Sequence, residues 1–264
     1  MSSVALTPAR MVRLFRIGWL FHMKSLMLSG FFILVVAIQP LIFASIAFFM
    51  FKSGRREDSL FYAALGAGLM GIWSSTLFGS GGAIQWQRWE GTLEILIAAP
   101  APFILAIVPL TVATSSIGVY SVVSTLFWGK VFFDIPFHIA HPVLFALSLP
   151  LTVLSLGFLG LLLAATFVLY RHANALSNLL EYPIWLVTGL LVPVSLLPAW
   201  VAPISWVLAP TWGMRAIRES ALGGDPLPDL LMTVALGVVY LALGSVFMRN
   251  FERLARERAT LALS

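Results

Sequence analysis

Long stretches without a formal charge are the feature of this sequence that most restricts its fold. Asp, Glu, Lys and Arg are absent from six runs, residues 25–51, 60–87, 95–129, 135–170, 182–214 and 230–248. A helix needs about 20 apolar residues to cross a bilayer, which each run supplies or nearly supplies. Because backbone polar groups must pair with one another inside lipid, these runs predict helices rather than an open sheet.

The composition of the chain supports the same interpretation. Of its 264 residues, 60% are hydrophobic and only 10% are charged, whereas soluble globular proteins carry about 25% charged residues. We therefore expect an all-α integral membrane protein with six transmembrane helices in one domain, residues 1–264. The predicted spans are about Leu26–Phe51, Leu60–Ile84, Phe103–Trp128, Pro142–Leu169, Leu176–Leu197 and Leu227–Met248.

Residues 1–25 differ from a cleaved signal peptide. Their basic residues alternate with apolar and aromatic ones instead of preceding an uninterrupted apolar stretch. The basic residues are Arg10, Arg13, Arg16 and Lys24. The pattern predicts an amphipathic helix on the membrane surface before the first span.

The fifth uncharged run is too long for a single span. It covers 33 residues from Tyr182 to Met214, and its later part is interrupted by Pro193, Pro198, Pro203 and Pro210. Proline removes a helical hydrogen bond and clashes with the preceding turn. We expect the span to end near Leu197. Short re-entrant or interfacial helices then occupy residues 198–222, including an outer helix over Thr211–Leu222.

The basic residues are distributed unevenly between the two sides that six spans define. With the N-terminus in the cytoplasm, ten basic residues lie inside and six lie outside. Cytoplasmic loops are enriched in Lys and Arg, so both termini are expected in the cytoplasm. The formal charge of +5 then reflects membrane orientation and not nucleic-acid binding. Glu181 falls near the start of span five, and we expect it to reach the inner interface.

Span two is rich in small residues, which permit close helix approach in lipid. They are Gly66, Gly68, Gly71, Gly79, Gly81 and Gly82, with Ser74, Ser75 and Ser80. Three interpretations stay open: packing within one chain, a dimer seam, or a surface that faces a substrate.

Signatures of enzymatic or metal chemistry are weak in this sequence. No cysteine occurs, so thiolate metal sites are excluded. The phosphate-binding pattern G-x-x-x-x-G-K-[ST] is also absent. His138 and His141 lie close together without a carboxylate pair beside them, and they are interpreted as boundary residues. We expect no cofactor, metal or catalytic residue in this chain.

The segment between spans two and three, residues 85–102, is the most informative loop and is here called the 85–102 loop. It turns at Gly91 and is predicted to form a short amphipathic helix over Thr92–Ala99. Glu90 and Glu94 lie one helical turn apart, so both can face one cytoplasmic partner. A charged, helical loop of this kind suits a membrane domain that receives force from a soluble motor.

The sequence Arg88-Trp89-Glu90-Gly91-Thr92-Leu93-Glu94, followed by Leu96 and Pro100, resembles the signature of type-2 ABC transporter permeases. The surface helix, six spans and broken segment before span six, with Leu197-Pro198-Ala199-Trp200, Ala209-Pro210 and Ala216–Gly223, are similar to that family as well. Trp86 and Trp89 depart from its pattern.

The resemblance implies the membrane subunit of a bacterial exporter in the plasma membrane. A separate P-loop ATPase subunit on the cytoplasmic side would hold ATP and Mg, and a second permease subunit, identical or related, would complete the path. Coupling to the ATPase would use Arg88, Glu90, Gly91, Thr92 and Glu94. An outer gate would include Pro198, Trp200, Pro203, Trp206 and Pro210. Drugs, lipids and lipid-linked glycans all remain possible substrates.

Two other functions remain open at this point. One is a motor-independent channel or secondary carrier, and the other is a membrane-bound lipid-modifying enzyme. A neighbouring gene for a P-loop ATPase would favour the exporter over both.

Overall fold

A computed structural model describes residues 7–30, 38–39, 41–46, 48–49, 57–99, 101–135, 139–167 and 173–258. All regular structure in these ranges is helical, which confirms the all-α fold class. The helices are α1 (Pro8–Leu28), α2 (Glu57–Gly81), α3 (Ala83–Trp89), α4 (Leu93–Ala98), α5 (Ile104–Phe133), α6 (Pro142–Phe167), α7 (Ala173–Val187), α8 (Val201–Trp206), α9 (Ala209–Leu222) and α10 (Leu227–Arg258). A 3₁₀ turn covers Val194–Leu196.

Within the described part of the chain, four helices are long and apolar enough to cross a membrane. The candidate spans are Leu60–Gly81, Ile104–Phe133, Pro142–Phe167 and Leu227–Ala255, matching predicted spans two, three, four and six. They are compatible with a multi-pass membrane protein. Much of predicted span one lies outside the described residues. Helix α7, at 15 residues, is shorter than a typical span, so six crossings remain a prediction.

Helix α2 lies at the centre of the described bundle, because its small residues let neighbouring helices approach closely. A Cβ atom on Gly68 would lie 2.7 Å from the Val122 Cα of α5. Hydroxyl pairs join the two helices further along, with 2.8 Å between the Thr76 and Ser115 oxygens and 2.9 Å between those of Ser80 and Thr114. The glycines of α2 are therefore occupied by packing within the chain.

Helix α7 runs antiparallel to α2. The Ser177 hydroxyl faces the Leu77 carbonyl at 3.4 Å, and the Ser74 hydroxyl donates to Glu181 Oε1 at 2.5 Å. Gly66 of α2 then lies against the carbonyl of Leu190, just beyond α7. The chain thus follows most of the length of α2 although α7 itself is short.

Two sequence expectations about this part of the chain need correction. The helix of the fifth run ends at Val187 and not near Leu197. Gly189 adopts a φ of +79°, which turns the backbone out of the helix. Glu181 does not reach an interface, since it is only 5% exposed and bonds to Ser74 inside the bundle.

Two sets of contacts define the opposite ends of the bundle. At one end, the Phe103 backbone N–H donates to Glu252 Oε2 at 3.2 Å, which joins the start of α5 to the end of α10. At the other, Ala140 and His141 donate backbone hydrogen bonds to the carbonyls of Ala221 and Ser220. We call these the Phe103 end and the Ala140 end.

Candidate functional site

The 85–102 loop forms two short helices, α3 and α4, joined by a tight corner at the Phe103 end. Gly91 has a φ of +70°, a conformation that glycine adopts without steric cost. The Thr92 hydroxyl donates to the Gln87 backbone carbonyl at 3.1 Å and to Gln87 Oε1 at 2.5 Å. The predicted turn at Gly91 and the short helix after it are confirmed, and side-chain bonds across the corner hold them together.

The outer face of this corner is both charged and aromatic. Arg88, Glu90 and Glu94 are exposed, while Trp86 and Trp89 are 59% and 63% exposed with ring centroids 5.9 Å apart. The indole N–H of Trp86 donates to Glu90 Oε1 at 2.8 Å. The structure therefore brings together the side chains that the sequence predicted as coupling residues.

The inner face of the corner is anchored in a small apolar core. Leu93 and Ile97 are buried in a cluster that also contains Met248 and Ala255 of α10. Ile84, at the start of the loop, belongs to the same cluster. A displacement of the corner would therefore be transmitted to the end of α10.

Helix α1 approaches the same corner. Burial lowers the pKa of His22 in α1, and the negative charge of Glu90 acts in the opposite direction. The indole of Trp19 donates to the Ser116 hydroxyl of α5 at 3.1 Å, and a Cβ on Gly18 would lie 3.0 Å from Pro109. Helix α1 thus lies against the first half of α5, near the 85–102 loop.

The predicted outer region, residues 198–222, contains α8 and α9 and follows the 3₁₀ turn at Val194–Leu196. Pro198, Trp200, Pro203 and Trp206 are exposed, whereas Pro210 is buried at the start of α9. Helix α9 covers the residues of the predicted helix over Thr211–Leu222 and begins two residues earlier, at Ala209; its position on the outer side stays a prediction. It returns to the Ala140 end, where it precedes the Gly223–Pro226 turn.

Tyr240 of α10 fixes the corner between α8 and α9. Its hydroxyl accepts from the Ala209 backbone N–H at 3.1 Å and donates to the Val207 carbonyl. Tyr240 follows Leu227, the first residue of α10, by 13 positions, or about 20 Å along a helix axis. The corner therefore lies well inside the bundle, and α9 leads back out alongside α10.

Arg218 of α9 is a cation buried among neutral groups. Its guanidinium donates to the carbonyls of Gly189 at 2.9 Å and Leu190 at 3.1 Å, and lies 3.3 Å from the ring centroid of Tyr62. Burial lowers its pKa to about 9, so the group stays charged at neutral pH. It caps the carbonyls left open where α7 ends, as cations commonly do at helix C-termini.

Sequence reasoning missed the roles of Tyr240, Arg218 and Glu181. A tyrosine or an ionisable residue within or beside a long apolar run is the signal that points to such positions, but their partners are distant in sequence. Among the residues that the structure describes, no group of three or more His, Asp or Glu side chains could hold a metal ion.

No protein-family model matches this sequence, and no curated protein is significantly similar to it.

Proposed function

We propose that this chain is the permease subunit of a bacterial ABC exporter, driven by a separate ATPase subunit. The observation that carries the proposal is the corner of the 85–102 loop. Its outer face presents Arg88, Glu90 and Glu94 to solvent, while its inner face packs on α10. Such a loop can receive a push from a soluble partner and pass it to a membrane helix.

The arrangement of the Phe103 end supports a cytoplasmic position for this face. Helix α1, the 85–102 loop and the end of α10 lie together there, and the described parts of α1 and α10 carry Arg10, Arg13, Arg16, Arg249 and Arg253. An excess of Lys and Arg marks cytoplasmic segments. Both termini would then be cytoplasmic, and α7 would complete a fifth crossing beside α2.

The α8–α9 corner supports an outer gate. A segment that enters about 20 Å along α10 and returns leaves irregular backbone at membrane depth, which is tolerated where it is buried in protein. Tyr240 bonds to the backbone of that corner, and the end of α7 holds α9 through the bond from Arg218 to the Gly189 carbonyl. The gate would open when α8 and α9 separate from these partners, releasing a hydrophobic or amphipathic substrate outward.

The filled centre of the bundle favours a path between two subunits. Side chains of α2 such as Leu65, Ile72, Trp73 and Leu77 are almost entirely buried within the chain. Helix α10, in contrast, exposes a row of apolar side chains that includes Leu231, Val238 and Val246. A second permease subunit or lipid would cover such a surface, and alternating access would occur at the subunit boundary.

Charge reversal in the 85–102 loop tests the proposal. The double variant Glu90→Lys and Glu94→Lys should insert normally but bind its ATPase subunit weakly and lose transport-linked ATP hydrolysis. Each charged hydrogen bond to the partner is worth about 1.5–3 kcal/mol. Lys130→Glu, at the other end, is the matched control; it breaks only an exposed ion pair with Asp134, worth about 0–1 kcal/mol, and should behave like the wild type. Normal ATPase binding and transport by the double variant would reject the loop as the coupling element.

A secondary carrier is the alternative that one observation favours. Glu181 is a carboxyl group buried beside Ser74, and ionisable residues inside membrane helices often mark ion pathways. A carrier would transport without ATP and would stop transporting in the Glu181→Gln variant. An exporter would instead require its ATPase subunit and keep its transport activity in that variant.

A further inference from the structure

Asp229, in the first turn of α10, is a buried carboxylate that its neighbours only partly satisfy. The residue is 2% exposed, and its Oδ1 has no hydrogen-bond partner among the described residues. Its Oδ2 lies 3.4 Å from the Nε of Arg215, whose side chain is half exposed. An isolated buried charge is costly, so the free oxygen requires a further positive group or a proton.

Glu219 is the neighbour placed to supply that proton. It follows Arg215 by one turn on α9, is half-buried, and lies within hydrogen-bonding reach of the Asp229 side chain. The backbone holds it there, because the N–H groups of Gly223 and Gly224 both donate to the Glu219 carbonyl. A Cβ on Gly224 would lie 2.9 Å from the Glu219 Cγ, so the turn packs directly against this side chain.

Two adjacent carboxyl groups do not both ionise easily, because like charges repel at short range. Burial raises the pKa of Glu219, and the charge and hydrogen bond of Asp229 raise it further; Asp225 adds a smaller contribution, while Arg215 acts in the opposite direction. The facing charged groups are thus Arg215 on α9, Asp225 in the turn and Asp229 on α10. From the start of α6, His141 approaches through its backbone bond to Ser220.

We propose that Glu219 and Asp229 bind one proton between them, and that this proton joins α9 to α10 at the Ala140 end. The protonated Glu219 carboxyl donates to the Asp229 carboxylate, and the proton is exchanged with water beside the exposed Asp225. A proton fits better than a metal ion, because Arg215 already supplies a cation to Asp229. This site does not depend on the transport proposal, since it follows from the α9–α10 contact alone.

The contact should weaken as the pH rises. A carboxyl group whose pKa is higher in the folded protein contributes stability that is fully present below its unfolded pKa and lost as pH passes its folded pKa. Above that pH both carboxyl groups are ionised and repel each other across the Gly223–Gly224 turn. Helix α9, which leads from the α8–α9 corner to this turn, is then less firmly attached to α10.

Thermal unfolding of the purified full chain in detergent, followed over a series of pH values, tests the site. The melting temperature of the wild type should fall as the pH rises and Glu219 ionises. The Glu219→Gln variant keeps a hydrogen-bond donor but cannot ionise, so its melting temperature should not show this fall. Asp225→Asn is the matched control and should retain most of the wild-type pH dependence. In the Glu181→Gln background, which removes another buried carboxyl group, infrared spectra should show a protonated carboxyl band that disappears with rising pH. This band should be missing when Glu219→Gln or Asp229→Asn is added.

Three outcomes would overturn the inference. One is an unchanged pH profile in Glu219→Gln. Another is an infrared band that persists in both variants. The third is stabilisation of the wild type, but not of Glu219→Gln, by added Ca²⁺ or Mg²⁺ with reversal by a chelator, which would identify a metal site instead. If Glu219→Gln does not fold, the infrared comparison of Glu181→Gln with and without Asp229→Asn decides the matter.

Discussion

Replacing Tyr240 with Phe removes one hydroxyl group and leaves the aromatic ring in place. That hydroxyl bonds to both the Val207 carbonyl and the Ala209 backbone N–H, and both Tyr240 and Ala209 are buried. The buried Ala209 N–H, if left unpaired, costs about 1–3 kcal/mol, whereas Val207 is 59% exposed and its carbonyl adds less. A loss of about 2 kcal/mol already lowers the ratio of folded to unfolded protein about 30-fold.

Unfolding of the purified chain by increasing SDS in mixed micelles, followed by tryptophan fluorescence, would measure this loss. Tyr240→Phe should unfold at a clearly lower SDS fraction than the wild type. The matched control is Tyr120→Phe on α5, where the side chain is 51% exposed and the expected change is small. Equal midpoints for Tyr240→Phe and the wild type would refute the idea that this hydroxyl holds the α8–α9 corner.

Two further substitutions probe the packing of α2 and the end of α7. Gly68→Ala places a methyl group 2.7 Å from the Val122 Cα and should cost about 1–3 kcal/mol in the same unfolding assay, whereas Gly30→Ala, with nothing within 4 Å, should not. Arg218→Met leaves the carbonyls of Gly189 and Leu190 unpaired. Arg218→Lys keeps the positive charge but lacks the planar guanidinium that bonds to both carbonyls at once. In a chain without native cysteine, a cysteine at the buried Ser205 should react faster with an impermeant thiol reagent in Arg218→Met than in Arg218→Lys. Equal rates would contradict a role for Arg218 in holding this region.

Sequence reasoning located the four long helices well, because uncharged length and helical hydrogen bonding are local properties. The ends of α2, α5 and α6 fall within a few residues of the predicted spans wherever they are described. The C-terminal helix is the exception. It continues ten residues beyond the predicted Met248, to Arg258, since its basic, polar extension leaves the apolar run but keeps helical periodicity.

The errors arose where a distant residue decides the local structure. The end of α7 depends on Gly189 and on Arg218, which lies 29 positions further along the chain. The position of Glu181 depends on Ser74, which precedes it by 107 positions. Within the predicted coupling site, the corner at Gly91 could be read from adjacent residues, whereas its anchoring on Met248 and Ala255 could not.

The burial of α2 has a consequence for how the chain is made. Of the four candidate spans, this helix is the least hydrophobic and the most buried, whereas α10 is the most hydrophobic and the least buried. During synthesis, α2 leaves the ribosome before α5 and α6, the helices that later cover it. A nascent α2 would therefore enter lipid less readily than any other candidate span, and its stable insertion would wait for α5 to arrive. The small residues that let α5 pack so closely thus also lower the hydropathy on which early insertion of α2 depends.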